Sequence, residues 1–166
     1  MNSEALSGGD SAWAKIAKAI AVGIVAGIAA TAVKILCEAI SAPRPPGVNS
    51  PLLNGLDIMS VKMTGSQLLE TVKPMAEKTA HWFFGVSAGC VYAVLAEKFS
   101  AIRAGRGVLF GVAFWLGLHE VALPLMGWSP TPAKMTQWEQ GNELFSHCFY
   151  GLTLELVRRG LRKKLD

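Results

Sequence analysis

Several ionisable residues of this chain lie in segments that are otherwise apolar enough for a lipid bilayer. They include Lys34, Glu38, His119 and His147. An ionisable side chain at the centre of a membrane helix costs at least about 2.5–3.5 kcal/mol, so it usually has a partner and a function. Histidine and glutamate suit two kinds of chemistry. They bind and relay protons near neutral pH, and they coordinate zinc or another borderline divalent ion.

The spacing of these residues predicts that they share one site. Lys34 with Glu38, and Glu143 with His147, are separated by four residues, so each pair lies on one face of a helix. At a rise of about 1.5 Å per residue, the polar residues of four different helices fall at one depth, near the same end. We predict that they converge on one cavity, in which Lys34 pairs with Glu38. The predicted polar or proton site consists of Lys34, Glu38, His81, His119, Glu143 and His147.

Three interpretations of this polar set stay open. The residues could bind or relay protons or a cation, in transport or in a pH or stress response. They could instead belong to a structural or accessory membrane protein in which they only fix helix packing and oligomerisation. A bound metal ranks behind a proton or polar ligand, because Lys34 would place one cation beside another. No cofactor is predicted.

Composition predicts a membrane protein. Of the 166 residues, 51% are hydrophobic and 17% are charged. The apolar residues form four blocks, unlike the scattered spacing of a soluble domain. Because a membrane-spanning helix needs about 20 residues, each span must also include residues that flank its apolar block. The sequence therefore predicts an all-α fold, a four-helix transmembrane bundle with spans at about 16–40, 78–97, 106–126 and 138–158.

Basic residues are divided unevenly between the two ends of these spans. Ten lie at one end, namely Lys15, Lys18, Lys98, Arg103, Arg106, Arg158, Arg159, Arg162, Lys163 and Lys164. Five lie at the other end, namely Arg44, Lys62, Lys73, Lys78 and Lys134. The positive-inside rule then predicts that both termini are cytoplasmic. Residues 1–11 read as a disordered tail, and the basic tail 159–166 is expected to lie against anionic headgroups of the lipid bilayer. A nucleic-acid partner is not expected.

A long periplasmic segment is predicted between the first two spans. Pro43 ends the first helix, and the segment continues to Lys78. Apolar residues at helical spacing predict a short amphipathic helix at 66–79, capped by Thr64 and Gln67 and kinked at Pro74. After the third span, Thr136 and Glu139 form a second capping-box pattern at the start of the fourth helix.

Small residues mark a close helix contact in the first span. Gly23 and Gly27 form a small-xxx-small pattern, which lets two helix backbones approach closely. Packing inside the bundle is the simpler interpretation. A homo-oligomer formed through these glycines is the alternative.

Two enzyme-like strings do not carry an enzymatic function. The run from Gly85 to Gly89 matches G-x-S-x-G, but a nucleophile elbow needs a strand before the serine and this run lies inside a helix. His119-Glu120 begins like H-E-x-x-H, yet position 123 is leucine, so the second zinc ligand is missing. We predict that the chain is not an enzyme.

Four short stretches carry a resemblance to a known family. They are Val33-Lys34-x-x-x-Glu38 before the proline-rich break, His81 with Ala96-Glu97, His119 with Pro124-Leu125-Met126-Gly127, and Glu143-Leu144-Phe145-Ser146-His147 leading to Glu155-x-x-Arg158-Arg159. Together they resemble the YagU-like family of small bacterial inner-membrane proteins. The likeness covers all four predicted helices and weakens at 47–75.

The resemblance implies a multispan protein of the bacterial inner (cytoplasmic) membrane, without implying a specific activity. It supports the six polar residues named above as one shared set. It does not support Glu120 or Ser87, which are not part of the family pattern.

Overall fold

The computed structural model describes residues 11–165, and every regular element in that part of the chain is helical. The α-helices are α1 (Ala12–Ile40), α2 (Pro51–Thr64), α3 (Lys73–Lys98), α4 (Val108–Trp115), α5 (Leu123–Leu125) and α6 (Gln137–Leu165). A π-helical turn, Leu116–Ala122, joins α4 to α5. Short 3-10 helices occupy Ser100–Gly107 and Pro132–Lys134. The predicted disordered tail lies outside the described residues, except for Ser11, which caps α1.

Helices α1 and α3 cross with almost no side chain between them. A Cβ atom added to Gly23 would lie 2.6 Å from the Cα of Cys90, and one added to Gly27 would lie 2.9 Å from the Cα of Val86. The G-x-S-x-G string supplies the other half of this contact through Gly89. The predicted small-residue contact is therefore internal. A homo-oligomer through Gly23 and Gly27 is wrong in its location, because α3 already covers both glycines.

Helix α6 packs mainly against α1 and α4. The backbone of Gly151 contacts that of Gly107, and Gly111 packs against the carbonyl of His147, so α4 and α6 run in opposite directions. Tyr150 of α6 donates a hydrogen bond to the carbonyl of Gly85 at 2.5 Å and Tyr92 of α3 donates one to Glu155, so α3 and α6 run in the same direction. The glycine contacts between α1 and α3 make these two helices antiparallel, so the four helical segments alternate in direction along the chain.

The surface of these helices is more apolar than their interior. Buried core side chains are mostly small or aromatic, as at Ala26, Ala30 and Tyr92. Large aliphatic side chains such as Ile24 and Ile28 are exposed instead. Three segments are long and apolar enough to cross a bilayer, namely Ala12–Ile40, Lys73–Lys98 and Ser100–Leu125. They coincide with the first three predicted spans. The fourth predicted span lies in α6, which has sufficient length but is not in this apolar set.

The connection between α1 and α3 contains a short helix, but not at the predicted place. The helix is α2, which begins where Ser50 accepts a hydrogen bond from the amide of Leu53, with Pro51 in its first turn. It ends at Gly65, whose φ of 81° is left-handed. The predicted helix at 66–79 is therefore wrong, because Gly65 ends one helix and the next begins only at Lys73. Pro74 lies in the first turn of α3, where proline is tolerated and causes no kink.

The second predicted capping pattern is confirmed in its main feature. The amide of Glu139 donates a hydrogen bond to the hydroxyl of Thr136 at 3.1 Å, at the start of α6. The carboxylate of Glu139 pairs with Arg44, which follows α1. The start of α6 is thus fixed to the end of α1.

We predict that replacing glycine with alanine has opposite effects on stability at two positions within helices. Alanine normally stabilises a helix interior over glycine by about 0.5–1 kcal/mol. Gly160→Ala has open space and should gain this stability. Gly89→Ala would put its Cβ 2.6 Å from the Cα of Gly27, where overpacking should cost about 1–3 kcal/mol. The free energy of unfolding in mild detergent measures both effects. Equal effects at the two sites would contradict the close α1–α3 contact.

Candidate functional site

A cavity of about 490 Å³ lies at the end of the bundle where α1 ends and α6 begins. Its wall contains all six residues of the predicted polar site. They are Lys34, Glu38, His81, His119, Glu143 and His147. The size is within the usual range for a small-molecule or ion site, about 300–1,000 Å³.

Each helix presents its polar residues to the cavity by simple periodicity. Lys34 and Glu38 lie one turn apart on α1, and Glu143 and His147 lie one turn apart on α6. His119 comes from the π-helical turn, in which the amide of Leu123 bonds to the carbonyl of Leu118, five residues back. Such turns are rare and frequently occur at functional sites. In this chain the π-helical turn is explained by the nearby Pro124, which has no N–H to donate to the helix.

The carboxylate of Glu143 lies at the centre of the polar contacts. The residue is only 4% exposed. Its Oε1 accepts a hydrogen bond from the Arg44 guanidinium at 2.7 Å. Its Oε2 lies 3.5 Å from Nε2 of His119, 3.6 Å from Nζ of Lys34 and 3.9 Å from Nδ1 of His147. None of these three distances is a good hydrogen bond, and Oε2 has no hydrogen-bond partner among the described residues.

Two cations hold the surrounding carboxylates. Lys34 hydrogen-bonds to Glu38, as the spacing along α1 predicts. Arg44 bridges two residues of α6, with its Nε 2.7 Å from Oε1 of Glu139 and its terminal nitrogen 2.7 Å from Oε1 of Glu143. A planar guanidinium suits this double contact, whereas a lysine would offer one point charge.

The two deepest histidines lie edge to face. The ring centroids of His119 and His147 are 5.0 Å apart. Nδ1 of His147 lies 2.7 Å from the carbonyl oxygen of Glu143, one turn earlier in α6. A neutral imidazole that donates from Nδ1 keeps a lone pair on Nε2. His119, Glu143 and His147 together offer ligand atoms that all lie within 4.8 Å of one another, and His81 lies outside this group.

Sequence reasoning missed several residues of the cavity wall. Arg44 stands between two prolines and indicated only a helix break. Ser50 caps α2 and also donates its hydroxyl to Glu77, which lines the same wall. Trp128 packs on Gly55 and forms part of the cavity roof. The Ser50-Pro51 start signal and Gly55 could have indicated a helix folded over the site.

The floor of the cavity is aromatic and closed. Tyr150 and Phe114 line it, and Tyr150 belongs to the buried core cluster beneath. A second polar network lies at the opposite end of the bundle. There Arg158 makes two hydrogen bonds to Glu155, and Tyr92 adds a third at 2.8 Å. Tyr92, Glu155 and Arg158 are all buried.

Comparison with known proteins gives a family match and a curated relative. A family described as a protein of unknown function (DUF1440) matches residues 28–156. The inner membrane protein YagU of Escherichia coli (strain K12) is 32% identical over 85 residues, which are 51% of this chain and 42% of YagU. The match therefore spans less than half of that relative's length. No solved structure matches the chain.

We predict strong energetic coupling between Arg44 and Glu143. A double-mutant cycle with Arg44→Gln and Glu143→Gln should give a coupling energy of about 1–3 kcal/mol, because each single variant removes one charge of a direct buried ion pair. The matched control is Lys73 with Glu70, since Glu70 is largely exposed and should couple by less than about 1 kcal/mol. Unfolding in mild detergent measures both cycles. Similar coupling in the two pairs would contradict the central role of Glu143.

Proposed function

Because this chain belongs to the DUF1440 family and is similar to an inner membrane protein, we propose that it is itself an inner-membrane protein that binds a proton or a small cation in its polar cavity. One observation carries the proposal. The buried carboxylate of Glu143 directs Oε2 toward two histidines and a lysine, yet this oxygen has no hydrogen-bond partner in the described part of the chain. A buried acceptor without a donor is costly, and a bound cation removes that cost.

The proposed membrane arrangement has four spans, with α6 as the fourth. Helices α1 and α6 are both 29 residues long, and α6 packs beside α1 and α4. Its buried positions recur every three or four residues, namely Glu143, Ser146, His147, Tyr150, Gly151, Leu154, Glu155 and Arg158. Phe145, Phe149 and Leu156 are exposed and suit contact with lipid. The polar residues that lower its hydropathy therefore face other helices.

The charge distribution supports an outward-facing cavity. The end of the bundle opposite the cavity carries ten basic residues, whereas the cavity end carries five besides Lys34, which lies within a span. By the positive-inside rule, both termini are then cytoplasmic and the cavity lies on the periplasmic side. In this arrangement α2 and the segment around it cover the outer mouth of the cavity.

We predict that cysteine labelling distinguishes the two ends. In a variant without the three native cysteines, Met63→Cys on α2 should react with a membrane-impermeant maleimide added outside the cell, because Met63 is 81% exposed. Lys98→Cys, at the other end of α3, should react only after the inner membrane is permeabilised. The reverse pattern would contradict the proposed topology, and labelling of both from outside would contradict the number of spans.

The charges of the cavity favour a cation as the ligand. Two cations line the wall, Lys34 and Arg44. They face three carboxylates in the wall, Glu38, Glu77 and Glu143, and Arg44 also pairs with a fourth, Glu139. With neutral histidines the site is therefore short of positive charge. The closed floor of Tyr150 and Phe114 further favours binding from one side over open conduction.

We predict that a cation raises the melting temperature through Glu143. The melting temperature of the purified chain in lipid nanodiscs is measured at different pH values and in the presence of alkali, alkaline-earth or transition-metal ions. A ligand at 100 times its dissociation constant should raise the melting temperature by on the order of 5–10 °C. Glu143→Gln should lose this shift. Glu120→Gln, which changes a neighbouring carboxylate outside the cavity wall, should keep it.

A structural or accessory role is the second candidate. It is favoured by the ion pairs themselves, since Arg44 and Lys34 connect α1 and its following turn to α6. In that case Glu143→Gln lowers stability equally with and without every cation. A reconstituted protein that stays monomeric and moves no ion would also favour this role.

A further inference from the structure

We infer that the cavity binds a divalent metal ion of the zinc class through His119, Glu143 and His147. The inference rests on the proposed function, since it names the cation of that same site. Two histidines and one carboxylate form a ligand set that zinc uses when a fourth position stays open for water or a substrate. All three residues line the cavity, so a fourth position would face its interior.

The spacing of the three residues is close to that of a metal site. Zinc bonds of about 2.0–2.2 Å in a tetrahedron place neighbouring ligand atoms roughly 3.3–3.5 Å apart. Nε2 of His119 and Oε2 of Glu143 are already 3.5 Å apart. One ligand atom from each of the three residues lies within 4.8 Å of the other two, so the side chains must still move closer together to surround one ion.

The backbone of α6 prepares His147 as a ligand. Its Nδ1 lies 2.7 Å from the carbonyl oxygen of Glu143, where an N–H would donate. Metal-bound histidines commonly donate their other nitrogen to a carbonyl or carboxylate, which fixes the ring and its tautomer. Nε2 then carries the lone pair that a metal needs. Both His147 and Glu143 are fixed on one helix, one turn apart.

The unpartnered oxygen of Glu143 is the independent evidence for a ligand. The side chain is more than nine-tenths buried, and Arg44 occupies only Oε1. Oε2 remains without a hydrogen bond although three nitrogens lie within 3.9 Å. A metal ion bound by this oxygen, Nε2 of His119 and Nε2 of His147 would satisfy the carboxylate and leave Nδ1 of His147 on the Glu143 carbonyl.

Lys34 does not exclude a metal, in contrast to the argument from sequence. Its ammonium group hydrogen-bonds to Glu38 and stands 3.6 Å from Oε2 of Glu143. Glu38 therefore neutralises the lysine, and Lys34 can keep its hydrogen bond to Glu38 when a metal binds Oε2 of Glu143. Lys34 acts as a competitor for that oxygen, so Lys34→Gln should increase metal affinity several-fold.

The experiment is a titration of the purified full chain in nanodiscs with cobalt(II) chloride, followed by visible absorption. We expect one cobalt ion per chain, displaced by zinc and not by magnesium. His119→Ala, His147→Ala and Glu143→Gln should each weaken cobalt binding at least about tenfold. The matched control is Glu120→Gln, a carboxylate outside both the ligand group and the cavity wall, which should keep the wild-type affinity. Circular dichroism checks the helix content of every variant.

The outcomes separate this inference from the proposed function. If cobalt and zinc do not bind, or bind equally to His119→Ala and Glu143→Gln, the metal inference is overturned. A Glu143-dependent stabilisation by protons or another cation would then leave the proposed function standing. If no cation acts through Glu143, both are wrong. Weaker cobalt binding to Lys34→Gln would contradict the competition between the lysine and the metal.

Discussion

The burial of one carboxylate, that of Glu143, constrains most of the other structure at the cavity end. A carboxylate removed from water needs opposite charge and hydrogen-bond donors close by. These come from three other segments, because Lys34 lies on α1, Arg44 in the turn after it and His119 in the π-helical turn. Each segment must therefore reach α6 at the same height. The ion pairs explain why the end of α1 folds toward the start of α6, and why the cavity forms there.

The same requirement explains the unusual distribution of residue types. A lipid bilayer offers no hydrogen bonds, so polar groups must satisfy one another inside the protein while aliphatic groups face outward. Ile24 and Ile28 are exposed, whereas Glu155 and Arg158 are buried. Length and hydropathy identify only three of the four proposed spans. They miss α6 because they cannot tell which way a polar side chain faces. In α6 the buried residues recur every three or four positions, so its polar side chains face the neighbouring helices. This arrangement becomes visible only when the helices are packed together.

The sequence predicts the long helices and six polar residues of the cavity wall, because both depend on local signals. Apolar blocks, the break at Pro43 and four-residue spacings are enough to bring six polar side chains to one depth. The position of α2 was not predicted, since the periodicity at 66–79 competed with the Ser50-Pro51 start and the Gly65 stop. Arg44 was missed because its partners are about a hundred residues away. The glycines of α1 were ambiguous, since a small-residue face fits an internal helix and a second copy equally well.

The polar face of α6 has a consequence for the way the chain enters a bilayer. Charged residues at the centre of a helix each oppose insertion by about 2.5–3.5 kcal/mol on the biological scale, and α6 carries Glu143, Glu155 and Arg158 on one face. In chain order α6 follows the other described helices, so it is synthesised after them. In the proposed four-span arrangement, its partners Arg44 and Tyr92 already stand in or beside the membrane when it emerges from the ribosome. The entry of α6 into the bilayer would therefore depend on the helices made before it.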